Sequence, residues 1–522
     1  MNGTSSQWPT AYQALSRQQF EHQGYTLLPI RDTDQEAIRQ WRNDQIDILR
    51  QREPLTAQAQ AQYFTQVVRP LFAQPEPSQL LFSFLQGGRL IGYGGLVHID
   101  WQAGRAEISF LLETSRNQHV AQFQQDFTVY LRLLREAAFE ATSLCKLNTE
   151  AYDIRPYLTQ VLEAEGFVLE ARLHEHVSVA GRRVDTLIHS CFRPTQPAGT
   201  PAPVVLITSI ARKVPLIQAV RNALRRFHNG GQLLGADSDP ACIGRYFTDD
   251  FWHMPIISEE NLPAILAWCQ ERQVTHLIPT RDGELLFWSR HHEQLAEHGI
   301  SVLVAPMQGV ETCLDKLRFA EVGRQHGLPV IPAATRLEDI GAKLLVVKER
   351  RGAGSRSLGL RLSPPEAAAH AGTLQEPIFQ PYVAGTEISV DAYVTRQGRV
   401  HGLVLRTRDV VLQGESQVTT TFEDAVLAAQ LQAAIEALGI RGHVVMQAIL
   451  DDRRQPHIIE CNCRFGGASS VAVAQGLDSF FWFFLESAGH SLSAFPFKPH
   501  VGGLRQVRYP ADLLRPAPLS TT

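Results

Sequence analysis

Residues 443–470, HVVMQAILDDRRQPHIIECNCRFGGASS, contain two short apolar runs on either side of a charged segment. This pattern predicts two antiparallel strands joined by a tight turn. Folding the strands about the centre of the charged segment places Gln447 opposite Glu460, and Asn462, two residues further on, faces the same side. One face of the hairpin then carries a carboxylate and two amide oxygens, which are suitable ligands for a hard cation such as Mg²⁺.

The residues that follow the second strand add charge and a flexible backbone. Arg464 is predicted on the same face, and a glycine pair then lets the chain pass close to a ligand, so that Gly467 and Ser469 are candidate substrate contacts. A cation and an arginine together would stabilise charge on a phosphoryl group during transfer. The alternative is an ordinary hairpin with a solvated polar face, and the hairpin alone does not decide between them.

The segment ECNCRFGG resembles the E-x-N-x-R ending of ATP-grasp enzymes, with Cys463 where proline is common. Gln447 as the upstream ligand is similar to the carbamoyl-phosphate-synthetase-like branch. The resemblance extends over residues 204–489 with its motifs in the family's order. It implies a magnesium site at Gln447, Glu460 and Asn462, with Arg464 as a catalytic side chain.

Upstream of the hairpin, a triphosphate site is predicted from two lysines and a glycine-rich loop. Lys316 lies at a helix start, Lys348 ends a strand, and the loop that follows contains Gly352, Gly354 and Ser355. Lysines supply point charges and free amides supply donors for phosphate oxygens. The resemblance assigns both lysines to ATP and gives Lys348 a catalytic role as well.

The next strands complete the predicted nucleotide site. The resemblance implies that the hinge containing Gln380 and Val383 presents backbone groups to adenine and that Glu387 accepts the ribose hydroxyls. Arg406 and Arg408 resemble residues that meet the acyl phosphate and the nucleophile.

The segment from residue 204 to 314 has the strand–helix–strand order and the continuous apolar strands of a parallel α/β sheet. Ligands bind such sheets at the carboxyl ends of the strands, which makes Arg281, Asp282 and Glu284 candidate substrate contacts, along with Ser209, Arg212 and Asp237. Helix capping and surface ion pairing are equally compatible roles. No G-x-G-x-x-G is present, so no dinucleotide cofactor is predicted.

The first third of the chain, over residues 20–194, resembles the GNAT N-acyltransferase fold, with a long helix predicted at about residues 122–142. The family's R/Q-x-x-G-x-G/A loop holds the acyl-CoA pyrophosphate on backbone amides. Arg116 and Ala121 fit this loop, but His119 occupies a glycine position and would crowd a phosphate. Two interpretations stay open: an active acetyl-CoA enzyme, or a fold retained for recognition, docking or dimerisation.

Composition limits the remaining options. A chain of 522 residues exceeds one ordinary domain, and its 44% hydrophobic and 20% charged residues are typical of globular proteins. A net charge of −4 and a pI near 6.6 give no general attraction to nucleic acid or membranes. Seven scattered cysteines favour a reducing compartment. Residues 1–20 do not form a secretion signal, and no run of about 18 apolar residues predicts a membrane helix. We expect a cytoplasmic protein.

These observations predict an α/β and α+β multidomain protein: a GNAT-like domain (1–194), a Pro-rich linker (195–203), a parallel α/β pre-ATP-grasp domain (204–314), a two-lobed ATP-grasp domain (315–500) and a tail (501–522), partly disordered. The expected reaction is ATP- and Mg²⁺-dependent activation of a small-molecule carboxylate as an acyl phosphate, followed by attack of an amine. The GNAT-like domain would acylate or recognise the partner substrate; alternatively it is only a binding or dimerisation module. An ATP-dependent sensor or phosphotransferase is a third hypothesis, and the choice between monomer and homodimer is open.

Overall fold

The computed structural model describes residues 7–49, 51, 53–179, 181–195, 201–352 and 357–513. The chain divides into two compact units, Met1–Thr200 and Pro201–Thr522. The division falls inside the predicted linker, of which residues 196–200 lie outside the described part. None of the described helices is long and apolar enough to cross a bilayer.

The first unit is built on one sheet in the order β1-β2-β3-β4-β5-β6-β8-β7. All neighbours are antiparallel except β5 and β6, which pair in parallel over three residues, from Arg105 to Glu107, and then separate. The long helix predicted near residues 122–142 is α5. Its apolar side, including Phe127 and Tyr130, packs on the sheet. The strands and helices of this unit are β1 (Phe20–His22), β2 (Tyr25–Pro29), α1 (Gln35–Asp44), α2 (Ala57–Tyr63), α3 (Arg69–Leu71), β3 (Leu80–Gln86), β4 (Arg89–Asp100), β5 (Arg105–Leu112), α4 (Thr114–Asn117), α5 (Val120–Ala141), β6 (Lys146–Tyr152), α6 (Pro156–Ala164), β7 (Val168–Val179) and β8 (Arg182–Phe192).

The second unit opens with a parallel sheet in the order β11-β10-β9-β12-β13. Its central strand β9 is buried throughout, as expected for a strand covered on both faces. The chain leaves β9 toward β10 and later returns to β12 on the other side, so the carboxyl ends of β9 and β12 flank the point where strand order reverses. The elements are β9 (Val204–Thr208), α7 (Val214–Phe227), β10 (Gln232–Asp237), β11 (Asp250–His253), α8 (Leu262–Glu271), β12 (His276–Ile278), α9 (Asp282–Arg290), α10 (His292–Glu297), β13 (Ser301–Val302) and α11 (Met307–Leu314).

Two further sheets follow in the same unit. A small antiparallel sheet has the order β15-β14-β16, and a larger one has the order β19-β20-β18-β17-β21-β22, with β23 added beside β20. The tail, predicted to be partly disordered, supplies strand β23, while its end from residue 514 lies outside the described part. The elements are α12 (Lys316–Gln325), β14 (Leu345–Glu349), β15 (Gly359–Leu362), α13 (Pro364–Ala371), β16 (Pro377–Pro381), β17 (Thr386–Val394), β18 (Val400–Thr407), β19 (Val410–Leu412), β20 (Glu415–Phe422), α14 (Ala425–Ala437), β21 (Gly442–Leu450), β22 (Pro456–Asn462), α15 (Ser469–Ala474), α16 (Ser479–Ser487) and β23 (Arg505–Val507).

This arrangement of parallel, mixed and antiparallel sheets with packed helices confirms the predicted α/β and α+β multidomain class.

Candidate active site

The hairpin β21–β22 places Gln447 opposite Glu460 and Val445 opposite Asn462, which is the predicted register. The pairing shifts by one residue at Ala448, which lies opposite Ile458, because β22 contains a bulge. The strand register next to the turn therefore differs by one residue from the register at the ligand-bearing ends, and the bulge accounts for the difference.

Of the three predicted metal ligands, Glu460 contacts the other two. Asn462 Nδ2 donates to Glu460 Oε1 at 3.3 Å. With its amide nitrogen toward Glu460 (2.9 Å to Oε1), the Gln447 side chain directs its oxygen toward Arg408 Nη1 at 2.7 Å. One carboxylate and two amides on one rigid hairpin fit a hard cation by their chemistry, because a carboxylate and the carbonyl oxygens of amides are ligands for Mg²⁺.

Arg408 connects this face to the predicted ribose acid. It forms an ion pair with Glu387 and hydrogen bonds to Ser416 Oγ (3.1 Å) and the Gly414 carbonyl (2.7 Å). Its side chain is 7% exposed, whereas that of Glu387 is 40% exposed. Arg408 therefore holds Glu387 at the edge of the site.

Lys348 reaches the same region from β14. Burial lowers the pKa of Lys348 to about 8, an effect opposed by Glu460 and reinforced by Lys316. Within the described ranges no hydrogen bond joins its Nζ to another residue. A buried ammonium with carboxylates in electrostatic reach and no fixed partner is suited to an anionic ligand.

Lys316 is positioned by a helix cap. Asp315 accepts hydrogen bonds from the Leu317 and Arg318 amides, both at 3.1 Å, and forms an ion pair with Arg350. Lys316 Nζ donates to the Gly352 carbonyl at 2.8 Å, at the start of the glycine-rich loop. The other two predicted loop contacts, Gly354 and Ser355, lie outside the described residues.

The predicted hinge joins β16 to β17. Gln380 is buried, pairs with Val346 on β14 and donates through Nε2 to the Ile331 carbonyl at 3.3 Å. Val383, two residues after β16, is partly exposed. Their contact with a nucleotide stays a prediction.

A second polar cluster lies where the parallel sheet meets the segment after β22. Arg464 forms a bidentate ion pair with Asp282, at 2.7 and 2.6 Å, and donates to the Phe465 carbonyl. The predicted catalytic arginine and a predicted substrate contact thus bind each other, although 182 residues separate them.

Lys213 lies beside this pair and was not among the residues predicted from the sequence. It follows β9, and its Nζ donates to the carbonyl and hydroxyl oxygens of Thr280, at 2.7 and 2.6 Å. Burial lowers its pKa to about 8; Glu284 opposes that effect and Arg464 adds to it. The sequence feature that could have indicated Lys213 is its position after the first buried strand, at the carboxyl edge where open sheets bind ligands.

The other predicted contacts at this edge have different surroundings. Glu284 is fully buried, and its carboxylate accepts hydrogen bonds from Thr208 Oγ1, Trp288 Nε1 and the amides of Thr280 and Arg281. These contacts bind α9 to the sheet. The Arg281 side chain is exposed at the start of α9.

Arg406 and Ser469, both predicted to contact substrate, contact the buried carboxylate of Asp391; their contact with a substrate stays a prediction. Arg406 Nε donates to this carboxylate at 2.7 Å, Ser469 Oγ donates to its other oxygen, and His443 Nε2 lies 3.3 Å away. Burial would raise the pKa of Asp391, but these groups hold it well below its ordinary value. Ser469 Oγ also accepts from the Gly466 amide at 2.9 Å, which connects this cluster to the backbone that follows Arg464.

The glycine pair lies beneath the tail. A Cβ on Gly467 would lie 3.0 Å from Arg508 Nη1, and Arg508 forms an ion pair with Glu415. Cys461 of β22 and Cys463, just after that strand, are buried beside Cys313 of α11.

In the first unit, the predicted acyl-CoA arginine is part of an internal ion pair. Arg116 binds the fully buried Asp126 through Nε and Nη2, at 2.7 and 2.8 Å, and Asp126 also accepts from Tyr25. The Arg116 amide is bonded within the α4 turn. His119 precedes α5 and, like Ala121, is exposed.

Three family models match the chain. Residues 27–188 match an acetyltransferase (GNAT) domain. Residues 205–303 match the PylC-like N-terminal domain. Residues 373–506 match the family described as ATP-grasp in the biosynthetic pathway with Ter operon.

Similar solved structures are distant. The biotin carboxylase domain dimer of Hydrogenobacter thermophilus 2-oxoglutarate carboxylase, in complex with MgADP, ADP and bicarbonate, is 16% identical, with 55% of this chain and 70% of that chain covered and a TM-score of 0.47. N5-carboxyaminoimidazole synthetase from Staphylococcus aureus is 15% identical, with coverages of 55% and 78% and a TM-score of 0.44. Likeness at this level does not define activity or substrate.

A search of curated proteins found no match. The family matches agree with the predicted resemblance and follow its order along the chain. The chain therefore joins an N-terminal GNAT domain to a PylC-like domain and an ATP-grasp domain.

Proposed function

We propose that the second unit is an ATP- and Mg²⁺-dependent ligase that activates a small-molecule carboxylate as an acyl phosphate and joins it to an amine. The observation that supports this most directly is the in-register face of Gln447, Glu460 and Asn462 with Lys348 in electrostatic reach of Glu460. The ATP-grasp match over residues 373–506 supports the same assignment.

The chain's own residues would act mainly by binding and positioning. Lys348 and Lys316 would hold the phosphates of ATP, and Glu387, braced by Arg408, would accept the ribose hydroxyls. Gln447, Glu460 and Asn462 would hold Mg²⁺, which when bound neutralises phosphate charge.

The carboxylate substrate would bind where Lys213 and the Arg464–Asp282 pair meet. Attack of its oxygen on the γ-phosphorus forms the acyl phosphate and releases ADP; attack of an amine on the acyl carbon then forms the amide and releases phosphate. Arg464, which follows strand β22, would stabilise the transferring phosphoryl group once the substrate competes with Asp282 for the guanidinium. Lys213, with a pKa of about 8, is a second cation for the substrate carboxylate.

For the GNAT domain, the observation that Arg116 is bound to Asp126 favours the second candidate role, recognition without acyl transfer. Release of Arg116 toward a pyrophosphate would leave the buried Asp126 carboxylate without its cation, which is costly. Acetyl transfer from acetyl-CoA, formation of a homodimer and a cytoplasmic location stay predictions.

The test is ADP release by the full-length chain with Mg²⁺ and ATP against a panel of small carboxylates and amines, with mass spectrometry of the products and with or without acetyl-CoA. We expect ADP together with a product mass equal to that of an amide, and Glu460→Gln should reduce ADP release to background. Glu423→Gln, an exposed glutamate at the end of the same sheet, serves as the control and should retain activity. Undiminished turnover by Glu460→Gln would contradict the metal assignment.

A further inference from the structure

The first unit contains a cavity of about 300 Å³ between helices α1 and α2 and strands β3 to β5. One part of its wall is apolar, where Ile30, Ile38 and Leu81 are all buried and face it; Gln60, Gln79 and Ser109 line other parts. Arg42 of α1 and Tyr93 of β4 supply polar groups to the same wall. The cavity is large enough for a ligand of about the size of an amino acid.

Arg42 is held in place by neutral partners. Its Nη1 donates to Tyr93 Oη at 2.8 Å, and its Nε donates to Gln51 Oε1 at 3.0 Å. The Gln51 amide is itself fixed, because its Nε2 donates to Asn43 Oδ1 at 3.0 Å. The guanidinium is thus oriented without being neutralised.

Other arginines nearby do have acidic partners. Arg31 pairs with Asp34, and Arg39 pairs with Glu36. Arg42, in contrast, forms no ion pair with a carboxylate of any described residue. Its Nη2 also donates no hydrogen bond to a described residue. A partly buried cation without a counter-charge is stabilised by an anionic ligand.

Tyr93 extends the polar end of the cavity. Because its hydroxyl oxygen accepts from Arg42, its proton is available to a second acceptor. Burial raises the pKa of Tyr93, against a smaller opposing effect of Arg42, so the hydroxyl keeps this proton at neutral pH. A guanidinium and a phenol side by side form a donor pair for the two oxygens of a carboxylate.

We propose that this cavity binds a small organic acid, with the carboxylate on Arg42 and Tyr93 and an aliphatic or aromatic body against Ile30, Ile38 and Leu81. This proposal rests on the recognition role proposed above for the GNAT domain and names the class of ligand that the domain would recognise. The first unit would then select a carboxylic acid by its charge and its apolar body.

The test is equilibrium binding to the full-length chain by titration calorimetry in the absence of ATP, so its outcome does not depend on ligase activity. The probes are 4-methylpentanoate with 4-methylpentanamide, 3-phenylpropanoate with 3-phenylpropanamide, and inorganic phosphate. We expect each acid to bind at least about ten-fold more tightly than its amide, the effect of one charge-assisted hydrogen bond pair.

Variants assign the preference to the cavity. Arg42→Gln should remove the difference between acid and amide, while Arg105→Gln, an exposed arginine at the start of β5, should retain it. Ala59→Phe, at the exposed edge of the cavity, should weaken the binding of both the acid and the amide of each pair while Arg42 is unchanged. It tests the cavity independently if Arg42→Gln fails to fold. Any of four outcomes would overturn the proposal: equal binding of acid and amide, an unchanged preference in Arg42→Gln, tight binding of phosphate alone, or no binding of either acid.

Discussion

Replacing Lys348 with methionine is expected to stabilise the second unit while abolishing its reaction. The Lys348 side chain is 9% exposed on β14 and has no hydrogen-bond partner among the described residues. Its charge is therefore maintained at a cost to the fold, which is common for groups placed for function. Methionine has a similar length and fills the same space without a charge.

The pKa gives the size of this effect and its pH range. A pKa that burial lowers from 10.5 to about 8 corresponds to a cost of roughly 3 kcal/mol for the charged form, and the loss of a cation near Glu460 reduces the expected gain to about 1–3 kcal/mol. Because the folded pKa lies below the unfolded one, the cost is fully present below about pH 8 and disappears as the pH rises to 10.5. The gain in the free energy of unfolding should be largest at neutral pH and absent near pH 10.5.

Urea unfolding of the full-length wild type and variant measures this difference. Since two units need not unfold together, pulse proteolysis at neutral pH, with identification of peptides from β5 of the first unit and β14 of the second, assigns each transition to a unit. ADP release, measured in parallel, should fall to background in the variant.

Lys343→Met is the matched control, because Lys343 is exposed just before the same strand. Its effect on unfolding should stay within about 0.5 kcal/mol. A Lys348→Met protein that is less stable than wild type at neutral pH, or equally stabilised at neutral and alkaline pH, would refute the reasoning.

Two further predictions concern stability. Gly385→Ala should lower the free energy of unfolding of the second unit by at least about 2 kcal/mol, because Gly385 has φ +156° and a Cβ there would lie 2.1 Å from the Leu450 carbonyl oxygen. Gly341→Ala is the control, because a Cβ at Gly341 meets no atom within 4 Å. Similar urea midpoints for the two variants would contradict this expectation. Burial, with help from Arg396, lowers the pKa of His276 from 6.5 to about 4. The neutral side chain should therefore contribute stability above pH 6.5 that is lost as the pH falls toward 4, and this contribution should be as much as about 3 kcal/mol. Urea midpoints measured across this range should depend less on pH in His276→Gln, and an unchanged pH dependence would exclude His276 as its source.

Local patterns were sufficient to predict the ligand face of the hairpin. Alternation with a period of two sets the side of each residue, and folding the charged segment about its centre places Gln447 opposite Glu460 with Asn462 on the same face. The sequence did not predict the bulge between Gln447 and Ala448: the strands next to the turn pair one residue away from the register that the ligand end adopts. The bulge did not disturb the prediction, since it restores the register at the ligand end.

The side-chain types of Arg406, Ser469 and Glu284 did not indicate that these residues are buried. Arg406, Ser469 and Glu284 have the side chains of substrate contacts, yet each is directed into the protein interior. Their burial follows from the packing of elements that are far apart in the sequence. Arg116 shows the same effect in the first unit, where Asp126 of α5 pairs with it.

The sequence by itself determined the order of domains, the strand and helix types and the oxygen-rich face of β22, because these depend on residues close together along the chain. Only the tertiary structure decided that Arg464 meets Asp282, that Lys213 lies beside them and that Arg42 lines a partly apolar cavity without an acidic partner among the described residues. Contacts of this kind join residues far apart in sequence, and burial determines the electrostatic free energy of each charge. Neither long-range contact nor burial is encoded in a local pattern, so both had to be read from the folded chain.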